Sequence, residues 1–251
     1  MMRTRPHELT LVMPVYNEEA CIGRVVESWH GTLSRLGIDF VMIVLNDGSR
    51  DGTGAALERF CRDDRIQVVN KRNSGHGPTI LMGYTRGVEQ SDWVFQVDSD
   101  DEMSPAYFAG LWQRRHDFDA LFGTRTNRQQ AAGRRLISAV SRLAVQILFG
   151  SGVEDVNTPY RLIRSAMLRD ILKCIPPDTF APNIIVSGLL IQGGAHILNL
   201  PVPHEGRKTG MVSIVAWRLW KAAARSLYQT ISISRLGSIR EHPNFFGRKD
   251  G

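Results

Sequence analysis

Three cysteines, Cys21, Cys61 and Cys174, are too few and too scattered for a disulfide framework or a zinc site. They read as buried thiols in a reducing compartment. No run of apolar residues approaches the roughly 20 needed to span a bilayer. The apolar run at residues 9–15 is short and contains Pro14, so no secretory leader is read there. Acidic residues are missing from two long stretches. Residues 123–153 hold five arginines (Arg125, Arg128, Arg134, Arg135, Arg142) and no acid, and residues 206–240 hold seven basic residues and no acid. With a net charge of +6, such blocks suit an anionic partner, either a phosphate-bearing substrate or an acidic membrane surface. Aromatics are sparse in the first block, and no zinc-finger or helix-turn-helix pattern occurs, so no nucleic-acid partner is expected.

What is present is a soluble-protein composition, 43% apolar and 22% charged, which excludes general disorder and supplies a sizeable core. The chain is organised around Asp98-Ser99-Asp100-Asp101-Glu102. A strand-like run at residues 93–97 precedes these acids, and Ser104-Pro105 follows as a helix start. They therefore fall on a turn at the carboxyl end of a strand, where open α/β sheets bind ligands. Acids one residue apart there suit a hard divalent cation that takes carboxylates and substrate phosphates. A solvated acidic turn has the same sequence, and the turn alone does not separate the two.

The first half alternates strand and helix. Strands are expected at residues 9–16, 40–45, 66–69 and 93–97, and helices at 18–36, 55–60 and 79–88, with a glycine-rich basic loop at 70–78. Short connections imply a mainly parallel sheet covered on both faces. Tyr16-Asn17-Glu18, Asn46-Asp47 and the acidic turn then share one rim of that sheet.

Four ordered stretches carry a resemblance: residues 12–19 (VMPVYNEE), residues 46–53 (NDGSRDGT), residues 73–77 (NSGHG) and Asp98-Ser99-Asp100. They resemble family 2 glycosyltransferases, inverting enzymes of the Rossmann-like GT-A fold that use nucleotide-sugar donors. Asn46 departs from the pattern, standing where the family usually has an aspartate. The resemblance implies that Pro14, Tyr16 and Glu18 line the nucleotide base and ribose, and that Asp47 bonds the base edge. It implies further that Asp98 holds ribose or a metal-bound water and that Asp100 coordinates the cation. Each has a plainer role available: Pro14 as a strand stop, Asp47 as a cap of the Gly48-Ser49 turn.

In the second half, strands are expected at 120–124, 160–163 and 196–200, the last ending at Pro201, and helices at 133–149, 165–172 and 183–191. The helix at 133–149 sets an aliphatic face beside arginines, which suits either a core or a membrane surface. The amphipathic stretch 214–233 has the same two readings, and residues 241–251 read as a polar tail. Gly123-Thr124-Arg125, Arg134 with Ser138, Asp155 before Tyr160-Arg161, and residues 201–213 are similar to the dolichyl- and polyprenyl-phosphate mannose synthases. That likeness implies that Glu102 completes the metal site with Asp98 and Asp100, and that Arg125, Arg134, Ser138 and Arg207 bind phosphates of donor and acceptor.

The expectation is one GT-A domain over 1–240, with a nucleotide-sugar half (1–119), an acceptor half (120–210) and an amphipathic helical region (211–240). It would move a hexose from a GDP- or UDP-sugar to a lipid phosphate with Mg2+ or Mn2+, in the cytoplasm and peripherally at the membrane. Asp100, Arg125, Arg207 and Asp155 are the catalytic candidates. A polyprenyl phosphate is already anionic and needs cationic positioning, whereas a hydroxyl acceptor needs a base. Two alternatives stand beside this: a soluble transferase with Asp155 as that base, and a non-catalytic module with a degenerate transferase fold.

Overall fold

The computed structural model describes residues 7–126, 132–204 and 229–232, with the side chains of 132–138, 140 and 141 outside that description. The expectations for residues 205–228 and for the tail therefore lie outside the described residues; of the predicted helix at 214–233, residues 229–232 are seen, and they are helical.

Four parallel strands form the first part of the sheet: β1 (His7–Val15), β2 (Phe40–Asn46), β3 (Ile66–Asn70) and β4 (Ser91–Gln96). They are linked by α1 (Ile22–Arg35), α2 (Thr53–Glu58) with a 3-10 turn at Arg59–Arg62, and α3 (His76–Gln90). After β4 come a 3-10 turn (Pro105–Tyr107), α4 (Phe108–Gln113), β5 (Ala120–Thr126), α5 (Ala132–Phe149), β6 (Arg161–Arg164), α6 (Ser165–Leu172), α7 (Pro182–Gln192) and β7 (Ile197–Pro203). The seven-stranded order is β3-β2-β1-β4-β6-β5-β7, with β6 antiparallel to both its neighbours and β5 parallel to β7.

Strand alternation divides the core between the two faces. Leu9, Leu11, Met13 and Val15 of β1 pack with Trp29 and Leu33 of α1 and with Phe95, Phe108 and Tyr160. Val12, Ile43 and Leu45 point the other way, onto Ile80 and Tyr84 of α3 and Ile185 and Leu189 of α7. Strand direction then places the site. The order runs outward from β1 and β4 in both directions, so these two strands flank the switch point where such sheets bind ligands. Because β6 runs backwards, its entry loop lies on the same rim as the carboxyl ends of β4, β5 and β7.

Several boundaries differ from expectation, α1 starting at Ile22 rather than residue 18, and two of the differences turn on proline. α3 begins at His76 instead of residue 79, since Pro78 fits a first helical turn, where its missing N–H has no intrahelical acceptor. β7 runs through Pro201 to Pro203; it is an edge strand, where an absent donor breaks no ladder.

Candidate active site

The acidic turn curls sharply after β4. Asp101 takes a left-handed backbone (φ 59°), which Asp tolerates better than most residues. The Glu102 N–H donates to Asp100 Oδ1 at 3.2 Å, and Arg24 Nη2 lies 3.3 Å from Asp101 Oδ2. Ser104 Oγ then accepts the Ala106 N–H at 3.3 Å and starts a 3-10 turn where Ser104-Pro105 reads as a helix start. Asp98, Asp100 and Glu102 line one cleft with Arg125, Pro159 and His204. Asp98 Oδ1 is buried there without a hydrogen-bond partner among the described residues, and His76 Nε2, 3.8 Å away, is beyond bonding reach.

Two pairs bring distant parts of the chain to this cleft. Arg125, at the end of β5, donates from Nε to Asp155 Oδ2 at 2.6 Å and from Nη2 to Asp155 Oδ1 at 2.9 Å. This bidentate geometry is the strongest an arginine and a carboxylate can adopt. It engages both oxygens of the residue read as a candidate base. His204, one residue beyond β7, sits 2.8 Å from Glu102 Oε2 through Nε2. Glu102, read as a third metal ligand, thus reaches the cleft already paired.

On the nucleotide side, Tyr16 is exposed on the rim, while Pro14 and Glu18 are buried. β1 pairs with β4 only as far as Val12, whose carbonyl accepts the Val97 N–H at 3.1 Å, so Pro14 follows the last pair and breaks no bond. The Glu18 N–H donates to Thr53 Oγ1 at 2.8 Å, and its Oε2 accepts from Cys21 Sγ at 3.3 Å. Asp47 is committed to the loop after β3. Its carboxylate accepts Lys71 Nζ, the Ser74 N–H at 2.8 Å and the Gly75 N–H at 2.9 Å. Its backbone carbonyl accepts Asn73 Nδ2 at 2.8 Å. Asn46, at the departure from the family pattern, donates from Nδ2 to Asn70 Oδ1 at 2.8 Å and accepts the Ser49 N–H at 3.1 Å. Asn46 and Asp47 therefore order the neighbouring turns.

The structure gathers Asp98, Asp100, Glu102, Arg125 and Asp155 at the rim. The side chains of Arg134 and Ser138, and Arg207 entirely, lie outside the described residues. His204 and Lys71 were missed as site candidates. His204 follows the strand that ends beside Arg125, a placement visible only once β7 is known to be parallel to β5. The cleft's carboxylate oxygens are hard donors, which suit Mg2+ or Mn2+. Among the described residues no three His, Cys, Asp or Glu side chains are spaced to hold a metal unaided. A cation here would draw its remaining ligands from substrate phosphate and water, the usual arrangement for Mg2+.

The family model described as "Glycosyl transferase family 2" matches residues 10–172. A Pseudomonas paraeruginosa protein named undecaprenyl-phosphate 4-deoxy-4-formamido-L-arabinose transferase is 30% identical over 223 residues, 87% of this chain and 64% of its own length. A protein of the same name from Pseudomonas fluorescens (strain Pf0-1) is 29% identical over 83% of this chain and 61% of that one. The chain thus spans under two thirds of these relatives. Among solved structures, glucosyl-3-phosphoglycerate synthase from Mycobacterium tuberculosis with Mn2+, uridine diphosphate and phosphoglyceric acid matches with a TM-score of 0.67. That match has 18% identity and covers 91% of this chain and 79% of the other, which establishes the GT-A architecture here.

Proposed function

Because the chain belongs to glycosyltransferase family 2, we propose that it moves a glycosyl group from a nucleotide sugar to a polyprenyl phosphate, with inversion. The engagement of both Asp155 oxygens by Arg125 carries the choice of acceptor. A sugar hydroxyl would need a carboxylate base, and this one is tied to a guanidinium. A phosphate monoester brings its own negative charge and needs cations to steer it. The relatives' printed names support that acceptor class. Their named sugar is an arabinose derivative, a pentose, so the hexose expected from the sequence is not carried forward. Nor is the mannose-synthase subgroup.

UDP and Mn2+ are proposed after the mycobacterial structures, which contain both. Asp98 and Asp100 would hold the cation, which when bound supplies Lewis-acid withdrawal of charge from the leaving diphosphate. Arg125, fixed by Asp155, holds its positive charge at the cleft where that diphosphate departs. A polyprenyl chain has to be met at a bilayer surface. α5 exposes Leu143 (56%) and Ile147 (73%) beside exposed Arg142, so peripheral contact belongs to the proposal. No helix among the described residues is long and apolar enough to cross a membrane.

The test is extraction of product from full-length chain incubated with undecaprenyl phosphate, MnCl2 and labelled UDP-hexoses and UDP-pentoses. A lipid-linked, acid-labile product is expected, lost on chelation and in Asp100→Ala. Label that stays in a water-soluble, acid-stable product would refute the lipid-phosphate acceptor.

A further inference from the structure

Arg161 is fully buried at the start of β6, beneath the cleft. Its Nε donates to the Thr158 carbonyl at 2.8 Å, its Nη1 to the Asn183 carbonyl at 3.0 Å, and its Nη2 to the Val156 carbonyl at 3.2 Å. Ser187 Oγ lies 3.5 Å from Nη1, and the guanidinium rests 5.1 Å from the Phe122 ring centre. Among the described residues no carboxylate pairs with it. A buried cation without a paired anion is costly, and an apolar side chain would fill the same space more cheaply. What arginine adds is several donors fixed in one plane, able to grip several carbonyls at once.

Two of the gripped carbonyls, Val156 and Thr158, belong to the turn between Asp155 and β6. That turn is also tied from its other side. The Thr158 N–H donates to the Asp155 carbonyl at 3.1 Å, and Thr158 Oγ1 to the Gly123 carbonyl at 2.7 Å, two residues before Arg125. Ser187 Oγ adds a bond to the Val156 carbonyl at 3.0 Å. Asp155 therefore meets Arg125 from a turn locked between α7, β5 and the buried guanidinium.

We propose that Arg161 is a positioning residue for transfer: it clamps the turn at residues 156–158, so that Asp155 holds Arg125 in place at the acidic cleft. This rests on the reading that Arg125 faces the departing diphosphate.

Two measurements on the full chain test it. The first needs no turnover. In Arg161→Lys, which keeps a cation but not the planar set of donors, amide exchange over residues 153–160 should quicken by at least about tenfold relative to α1, the signature of local opening. The second is UDP release with undecaprenyl phosphate and MnCl2, from the UDP-hexose or UDP-pentose that the wild type turns over. Arg125→Ala should lower kcat by about 100- to 1,000-fold, the range for losing a placed transition-state donor, and Arg161→Lys by about 10- to 100-fold, each with donor KM within about threefold. The double variant should be no slower than the slower single, because both changes remove one arrangement. Should Arg161→Lys not fold, Ser187→Ala, which strips one bond from the same carbonyl, should show the same pattern at smaller size. A folded variant with unchanged loop exchange, or losses that multiply in the double variant, would overturn the clamp. A wild type inert toward every UDP-hexose and UDP-pentose tried would instead overturn the transfer reading, and the exchange result alone would then decide the clamp.

Discussion

Asp51 shows how a single side chain reports on pH. Burial raises its pKa, but bonds from Thr53 Oγ1, the Thr53 N–H and the Glu19 N–H outweigh burial and hold it below the ordinary aspartate value. A carboxylate depressed in the folded state stabilises above its unfolded pKa and loses that contribution as pH falls through its folded pKa. Urea midpoints of wild type and Asp51→Asn should therefore differ most at neutral pH and converge below about pH 4. A difference that widens on acidification would contradict this account. Asp155 calls for a different measurement. Replacing it with Asn should weaken the hold on Arg125 and lower kcat by about tenfold, equivalent to roughly 1.4 kcal/mol, while leaving the acid limb of the kcat/KM profile in place. Loss of that limb would make Asp155 the base after all. At this scale the sequence showed which acids share the rim, because residue order and strand ends suffice for that. It could not show that Glu102 meets His204 or that Asp155 meets Arg125. Those pairs lie 102 and 30 residues apart, and either acid could equally have faced solvent.

Among the elements, α3 carries the tightest packing constraint. It crosses β1 so closely that a Cβ on Gly83 would collide with Val12 Cγ1 and lie 3.1 Å from Leu45 Cδ1. Gly83→Ala gains up to about 1 kcal/mol of helix propensity. Overpacking against two buried strands costs about 1–3 kcal/mol, so the variant should be less stable despite the better helix former. A thermal midpoint lowered by about 2–8 °C is expected, and a raised one would mean that α3 can lift off the sheet. Helices and strands were mostly legible because periodicity marks a buried face: Ile22, Val25, Val26, Trp29 and Leu33 of α1 are all buried as spaced. Two boundaries failed where proline was read as a stop. Pro78 and Pro201 both sit inside elements whose hydrogen-bonding plan leaves that N–H unused, and that plan depends on neighbours a linear reading does not see.

Across the whole molecule, the expected nucleotide-sugar and acceptor halves are joined at the centre of the sheet. β6, from the second half, pairs antiparallel with β4, from the first, through Trp93↔Arg164 to Gln96↔Arg161. An aromatic group spans the same seam. Trp29 lies 5.2 Å from Phe95, 5.9 Å from Phe108 and 5.8 Å from Tyr160 between ring centres, and the Tyr160 hydroxyl donates to the Ser104 carbonyl at 3.2 Å, just past the acidic turn. The antiparallel insertion of β6 was not legible, since a four-residue strand carries no mark of its direction. Its consequence is that neither half has a finished core without the other. Trp29→Ala should cost about 3–5 kcal/mol, as aromatic truncations in packed cores do. For a chain of this size that is a fall of about 6–20 °C in Tm. The loss should appear as one shifted transition, with circular dichroism and tryptophan fluorescence coincident, because the substitution loosens both sides of the seam together. Two separated transitions, with only the first moved, would mean that the halves fold independently and that the rim joining donor and acceptor residues is assembled by docking.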